Sequence, residues 1–146
     1  MSDKCVLIRD VDSRPIKREA EAVRAWLHTD KAVTCIRDHP GHYFPLQAGL
    51  WGGHVGKFRK LIAPHTMQNL LTSFNLQRGY YTDQYFLQSK IWPLVQNDSY
   101  CCDSYYCLHF KGSHPFPTPR KGGEHCGGVY DTNDVAAQYD VQKVLN

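Results

Sequence analysis

Two aspartates one residue apart, Asp10 and Asp12, follow the apolar run Cys5-Val6-Leu7-Ile8 and precede a helix-start signal at Ser13 and Pro15. A strand that ends in two carboxylates presents them at the C-terminal edge of a sheet, where open α/β folds place ligands. Oxygen ligands of this kind suit Mg²⁺ or Mn²⁺, and an ion held by them can also grip a diphosphate. The bland reading is a solvated strand end leading into a helix. The two aspartates alone leave both readings open.

A second group lies in Tyr80-Tyr81-Thr82-Asp83-Gln84-Tyr85-Phe86-Leu87. Asp83 and Gln84 fall in a first helical turn, where the helix dipole favours a carboxylate. They are candidates to hold sugar hydroxyls or assist group transfer, against the plain alternative of helix-start chemistry. Arg37, Asp38 and His39 form a third group, able either to surround a phosphate or sugar or simply to lock a loop. Trp51, between Leu50 and Gly52, is a candidate stacking platform, since adjacent glycine lets backbone approach a ligand. The alternative is a Trp buried in a tight turn.

The elements that must carry these residues follow from pattern. Cys5–Ile8 reads as a buried strand, 15–28 as an amphipathic helix carrying Ile16, Ala20, Val23 and Leu27, and Ala32–Ile36 as a second strand. The stretch 37–56, rich in Gly, Pro and His, reads as a loop. One helix is expected from Pro64 to before Gly79, and another from a Thr82 cap to near Pro93. Ser99–Phe110 is expected to be a strand, 115–131 a long loop, and 134–145 a terminal helix. Alternating strands and helices predict an α/β domain.

Composition narrows the partners. The 146 residues fit one domain, and the 17 Lys and Arg against 14 Asp and Glu leave a net charge of only +3, too balanced for a nucleic-acid surface. Met1-Ser2-Asp3-Lys4-Cys5 opens no apolar signal segment, and no stretch approaches the ~20 apolar residues of a membrane span, so a soluble intracellular chain is expected. The six cysteines include no C-x-x-C pair. Cys102, Cys107, His109, His125 and Cys126 are too irregularly spaced for a recognisable zinc motif, and free buried or half-buried thiols are expected.

Taken in order, "RDVDSR", "AVRAWL", "RDHPGH", "GLWGG", "TDQYFL…IWPLV", "CDSYYC" and "PFPTPRKG" resemble a group of glycosyltransferase-like proteins of the GT-A, nucleotide-diphospho-sugar transferase type. The resemblance spans about residues 6 to 131. It implies a GT-A-like α/β fold and transfer of a sugar from a nucleotide-diphosphate donor to a glycan or other hydroxyl acceptor. It implies a Mn²⁺ or Mg²⁺ cofactor on Asp10 and Asp12, with His125 as a candidate to complete the metal shell. Asp83 and Gln84 match a "DQ" element beside the donor sugar, while Arg9, Arg37, Asp38, His39, Trp51 and Gly52 would line the substrate.

Two departures qualify this. Only nine residues precede Asp10, whereas the GT-A fold places an N-terminal nucleotide-binding half before that motif. Residues 1–146 are therefore expected to form a single partial domain, an inactive remnant or binding module being the rival, and to pair with a missing N-terminal half. Cys102 also stands before Asp103 where the family pattern has His. The strand and D-x-D further resemble the haloacid dehalogenase phosphatases, with Asp10 as nucleophile and Asp12 as general acid. That alternative needs a later lysine and a second acidic motif, for which Asp131-Thr132-Asn133-Asp134 is the nearest match.

Overall fold

The computed structural model describes residues 4–75 and 79–146. Strand β1 (Cys5–Arg9) leads through the Asp10–Asp12 turn to helix α1 (Lys17–Leu27) and strand β2 (Val33–Arg37). Strand β3 (Leu50–His54) runs directly into α2 (Val55–Ile62), followed by α3 (Met67–Ser73). Helix α4 (Thr82–Phe86) continues through a π-helical turn, Leu87–Ile91, into α5 (Trp92–Val95). Strand β4 (Ser99–Asp103) is followed by a long irregular segment and the C-terminal α6 (Gln138–Leu145).

The four strands form one mixed sheet in the order β1-β3-β2-β4, with β2 and β4 parallel and the other two pairings antiparallel. The α/β class is therefore present. Alternation along β2 sorts its side chains to two cores. Val33 and Cys35 join Leu46, Ile91 and Val95 beneath α2–α5, while Ile36 joins Ala22 of α1, Leu50, Cys102 and Cys126 on the other face.

Cys5–Ile8 is a strand, but an edge strand: Val6, Leu7 and Ile8 remain 47%, 45% and 40% exposed. The strand beside it was hidden in the expected 37–56 loop. Gly52 makes that strand possible, because a Cβ there would lie 2.3 Å from the Val6 carbonyl oxygen of β1. The helix expected from Pro64 is α3, which starts at Met67 behind reciprocal Thr66–Asn69 cap bonds, while α2 lies wholly ahead of Pro64, where no helix was expected. Helix α3 ends at Ser73, before Gly79.

Thr82 is not the cap but the first residue of α4; Tyr81 holds the cap position with φ of 70°. The helical path also passes Pro93 to Val95, because the wide Leu87–Ile91 turn loosens the ladder just before a residue that cannot donate to it. Strand β4 stops at Asp103 rather than Phe110, since the Asp103 carboxylate accepts the N–H groups of Tyr105 and Tyr106 and turns the chain. Nor are all the cysteines free: Cys35 and Cys101, register partners on parallel β2 and β4, form a disulfide. No described helix is long and apolar enough to cross a membrane.

Candidate functional site

The turn after β1 is built by Ser13. Its hydroxyl donates to the Asp10 carbonyl at 3.0 Å while accepting from Arg9 at 3.1 Å, and the Tyr130 N–H donates to the Asp12 carbonyl at 2.9 Å. These bonds consume backbone and leave the two carboxylates facing outward. Asp10 rests against Gly49, where a Cβ would fall 2.2 Å from its Oδ2. Only glycine leaves that space.

Asp10 and Asp12 open onto a cavity of about 700 Å³ that is also lined by Asp83, Gln84, Tyr80, Tyr81 and Thr82. The first turn of α4 thus meets the end of β1, which unites two groups 71 residues apart in sequence. Partial burial, then the Asp12 and Asp83 charges, push the Asp10 carboxyl above its ordinary range, against a smaller opposing pull from Arg9. Among the described lining residues, three carboxylates face the cavity with no lysine or arginine, a charge balance that disfavours an anion. Their oxygens do not gather on one point, as a dedicated protein cage would require. An ion that keeps waters and takes one or two carboxylates plus ligand phosphates does not need that.

Gln84 plays a different part. With its amide oriented to satisfy both neighbours, it donates to the Leu46 carbonyl at 2.9 Å and accepts from the Ala48 N–H at 2.8 Å. It braces the segment beside Gly49 instead of reaching the cavity with a free amide. Asp83 accepts the N–H of Gln84 with one oxygen and is exposed at the rim.

The remaining candidates go elsewhere. Arg9 turns back to pair with Glu19 of α1. Arg37 is buried against Asp103, donates to Ser113 at 2.8 Å and stacks 4.3 Å from the Phe110 ring. Asp38 is fully buried: Arg18 grips it at 2.9 and 3.1 Å, Ser104 at 2.6 Å, Arg120 at 2.7 Å and the Cys126 N–H at 3.0 Å. Every oxygen is committed, and these hydrogen bonds hold the carboxyl below its ordinary range despite burial. Arg37 and Asp38 thus lock the fold; neither is among the residues lining the Asp10 cavity.

Trp51 and Gly52 lie in β3 and face a separate apolar cavity of about 610 Å³, with Val6, Ile8, Phe58 and Met67. His39 and His125 are also away from Asp10 and Asp12. They meet across Asp140 of α6, which sequence reasoning missed because nothing in an ordinary terminal helix marks one aspartate. His39 Nε2 lies 3.3 Å and His125 Nε2 3.1 Å from the Asp140 carboxylate. Among the described residues, these are the one set of three potential ligand groups with atoms all within 4.8 Å of one another. The irregular Cys/His set contributes only His125 to it. Burial pushes the Cys102 thiol up to about 11 and raises Cys126 further, so both stay protonated.

Asp131 and Asp134 form a local turn, in which Asp131 accepts from Asn133 and Val135 and Asp134 pairs with Arg14. No protein family, curated protein or solved structure matches this chain.

Proposed function

We propose that this chain is glycosyltransferase-like, of the GT-A type, and that the Asp10 cavity binds a nucleotide-diphospho-sugar donor through Mn²⁺ or Mg²⁺ for transfer to a hydroxyl acceptor. The observation that carries this reading is the meeting of Asp10, Asp12 and Asp83 in one cavity without a facing lysine or arginine among its described lining residues. Asp10 and Asp12 hold the ion, and Gly49 sets the direction of the Asp10 carboxylate. The bound ion supplies charge neutralisation for the departing nucleoside diphosphate. Asp83 accepts hydrogen bonds from sugar hydroxyls, and the exposed rings of Tyr80 and Tyr81 offer faces to a sugar or base.

A specific observation favours the rival, a binding module without turnover: the Gln84 amide is committed to backbone, so Asp83 alone of the "DQ" pair can act on a substrate. The phosphatase-type alternative has no lysine among the described residues of the cavity to support it. Donor hydrolysis and transfer with Mn²⁺, comparing the wild type with Asp12→Ala, separates the first two. Metal-dependent turnover lost in the variant is expected. Donor binding without turnover in either protein makes the chain a binding module, and absence of Mn²⁺-dependent donor binding overturns the proposal.

A further inference from the structure

We infer that His39, His125 and Asp140 form a second metal site, for a zinc-class divalent ion, which fastens helix α6 to the body of the protein. His125 Nδ1 lies 3.1 Å from the Gly123 carbonyl, an oxygen that can only accept, so this nitrogen carries a proton. A ring protonated on Nδ1 alone turns a bare lone pair, on Nε2, toward the Asp140 carboxylate 3.1 Å away. Two acceptors at that distance are reconciled by a cation, either a second proton on the ring or a metal ion.

The geometry suits a metal ion. A tetrahedral ion with bonds of about 2.0–2.1 Å holds neighbouring ligand atoms roughly 3.3–3.4 Å apart. His39 Nε2 lies 3.3 Å from one Asp140 oxygen and His125 Nε2 3.1 Å from the other, each near that spacing. One ligand atom from each residue lies within 4.8 Å of the other two, so a small inward shift closes the set on one ion. The Nδ1–H bond of His125 to Gly123 is the outer contact that typically orients a ligating imidazole. Both rings are buried, with their centroids 4.8 Å apart and His42 packed against them. A cavity of about 420 Å³, lined by His125, Asp140, Glu124 and Tyr130, gives access and leaves room for a fourth ligand.

His39 must change its proton to take part. Its Nδ1 now accepts the Gly41 N–H at 2.9 Å, which places the ring proton on Nε2, shared with the Asp140 carbonyl and carboxylate. Metal binding at Nε2 moves that proton to Nδ1, which keeps the ring neutral. Gly41 is exposed, so its N–H can turn to water instead. Two imidazoles and one carboxylate favour zinc and its neighbours over Mg²⁺ or Ca²⁺, which prefer all-oxygen shells. This site therefore differs in chemistry as well as position from the Asp10 cavity, and it does not depend on the glycosyltransferase reading.

The test is Zn²⁺ titration of the full chain by calorimetry, with hydrogen exchange of residues 138–145 followed in parallel. One equivalent is expected to bind to the wild type and to the Asp10→Asn, Asp12→Asn double variant. Binding is expected to weaken at least about 10-fold in Asp140→Asn and in His125→Ala, on the scale of a lost metal contact. Asp140 lies on a helix with no buried residue, so Asp140→Asn is the variant that keeps the fold if His125→Ala does not. Zn²⁺ should slow exchange in α6, and Co²⁺ should give the visible absorption of a tetrahedral site. Absence of stoichiometric binding, or binding unchanged in Asp140→Asn, overturns the inference and leaves the bridging cation as a proton on His125.

Discussion

Two Arg-Asp pairs end two strands of the same sheet and meet opposite fates. Arg9-Asp10 closes β1 and Arg37-Asp38 closes β2. At the β1 end, the arginine turns back to Glu19 and the aspartate faces a cavity with two other carboxylates. At the β2 end, the arginine is buried against Asp103 and the aspartate accepts from two arginines, a serine and a backbone amide. The carboxyl groups shift in opposite directions accordingly, Asp10 upward and Asp38 downward. The first carboxylate is exposed at a cavity, whereas the second, saturated with hydrogen bonds, holds the fold. Position decides this, since β1 is an edge strand and β2 a central one.

The largest effect should come from the saturated end. Asp38→Ala leaves Arg18 with a buried guanidinium lacking its partner, and should cost about 3–5 kcal/mol of stability in urea unfolding. Asp12→Ala, at the exposed end, should change stability by no more than about 0.5 kcal/mol while removing metal-dependent donor chemistry. If the two variants destabilise the protein equally, the contrast between the regions is wrong.

Acid should divide the two regions next. Burial, aided by His39 and His125, lowers His42 from 6.5 to about 3, so the unfolded chain binds its proton first. Asp38 is likewise lowered, and the unfolded state again holds more protons as pH falls. Both contributions are present above the unfolded values and are lost on acidification, from about pH 6.5 downward for His42. Asp10 works the other way: its raised value means that protonation relieves crowding in the folded protein. Thermal unfolding from pH 7 to pH 4 should show a net loss of stability that His42→Phe reduces. An unchanged slope in that variant would remove His42 from the account.

A smaller effect tests the support of Asp10. Gly49→Ala forces the Asp10 carboxylate from its seat, and Mn²⁺ affinity should fall about 10- to 100-fold, as for loss of an orienting contact. The displaced group is an exposed, flexible side chain, so the melting temperature should hardly move. The smallest effect is that of Asp10→Asn, which removes one of three like charges and should raise stability by up to about 0.5 kcal/mol without metal. A loss of stability in that variant would mean that the Asp10 carboxylate holds the fold as Asp38 does.

By itself the sequence determined the strand that ends in Asp10 and Asp12, the amphipathic α1, β2, the α4 start near Asp83 and the α/β class, because these rest on local periodicity and capping. It could not place β3, whose Gly52 and Gly53 carry no hydrophobic pattern and whose pairing depends on close backbone approach. Without β3, the exposed edge position of β1 was out of reach. Nor could local pattern tell Asp10 from Asp38, since both follow arginine at a strand end. Tertiary structure alone decided which aspartate meets Arg18 and Arg120 and which meets Asp83, and it alone brought Asp140 to His39 and His125. Pairing of charges is a contact between distant segments, and spacing along the chain carries no record of it.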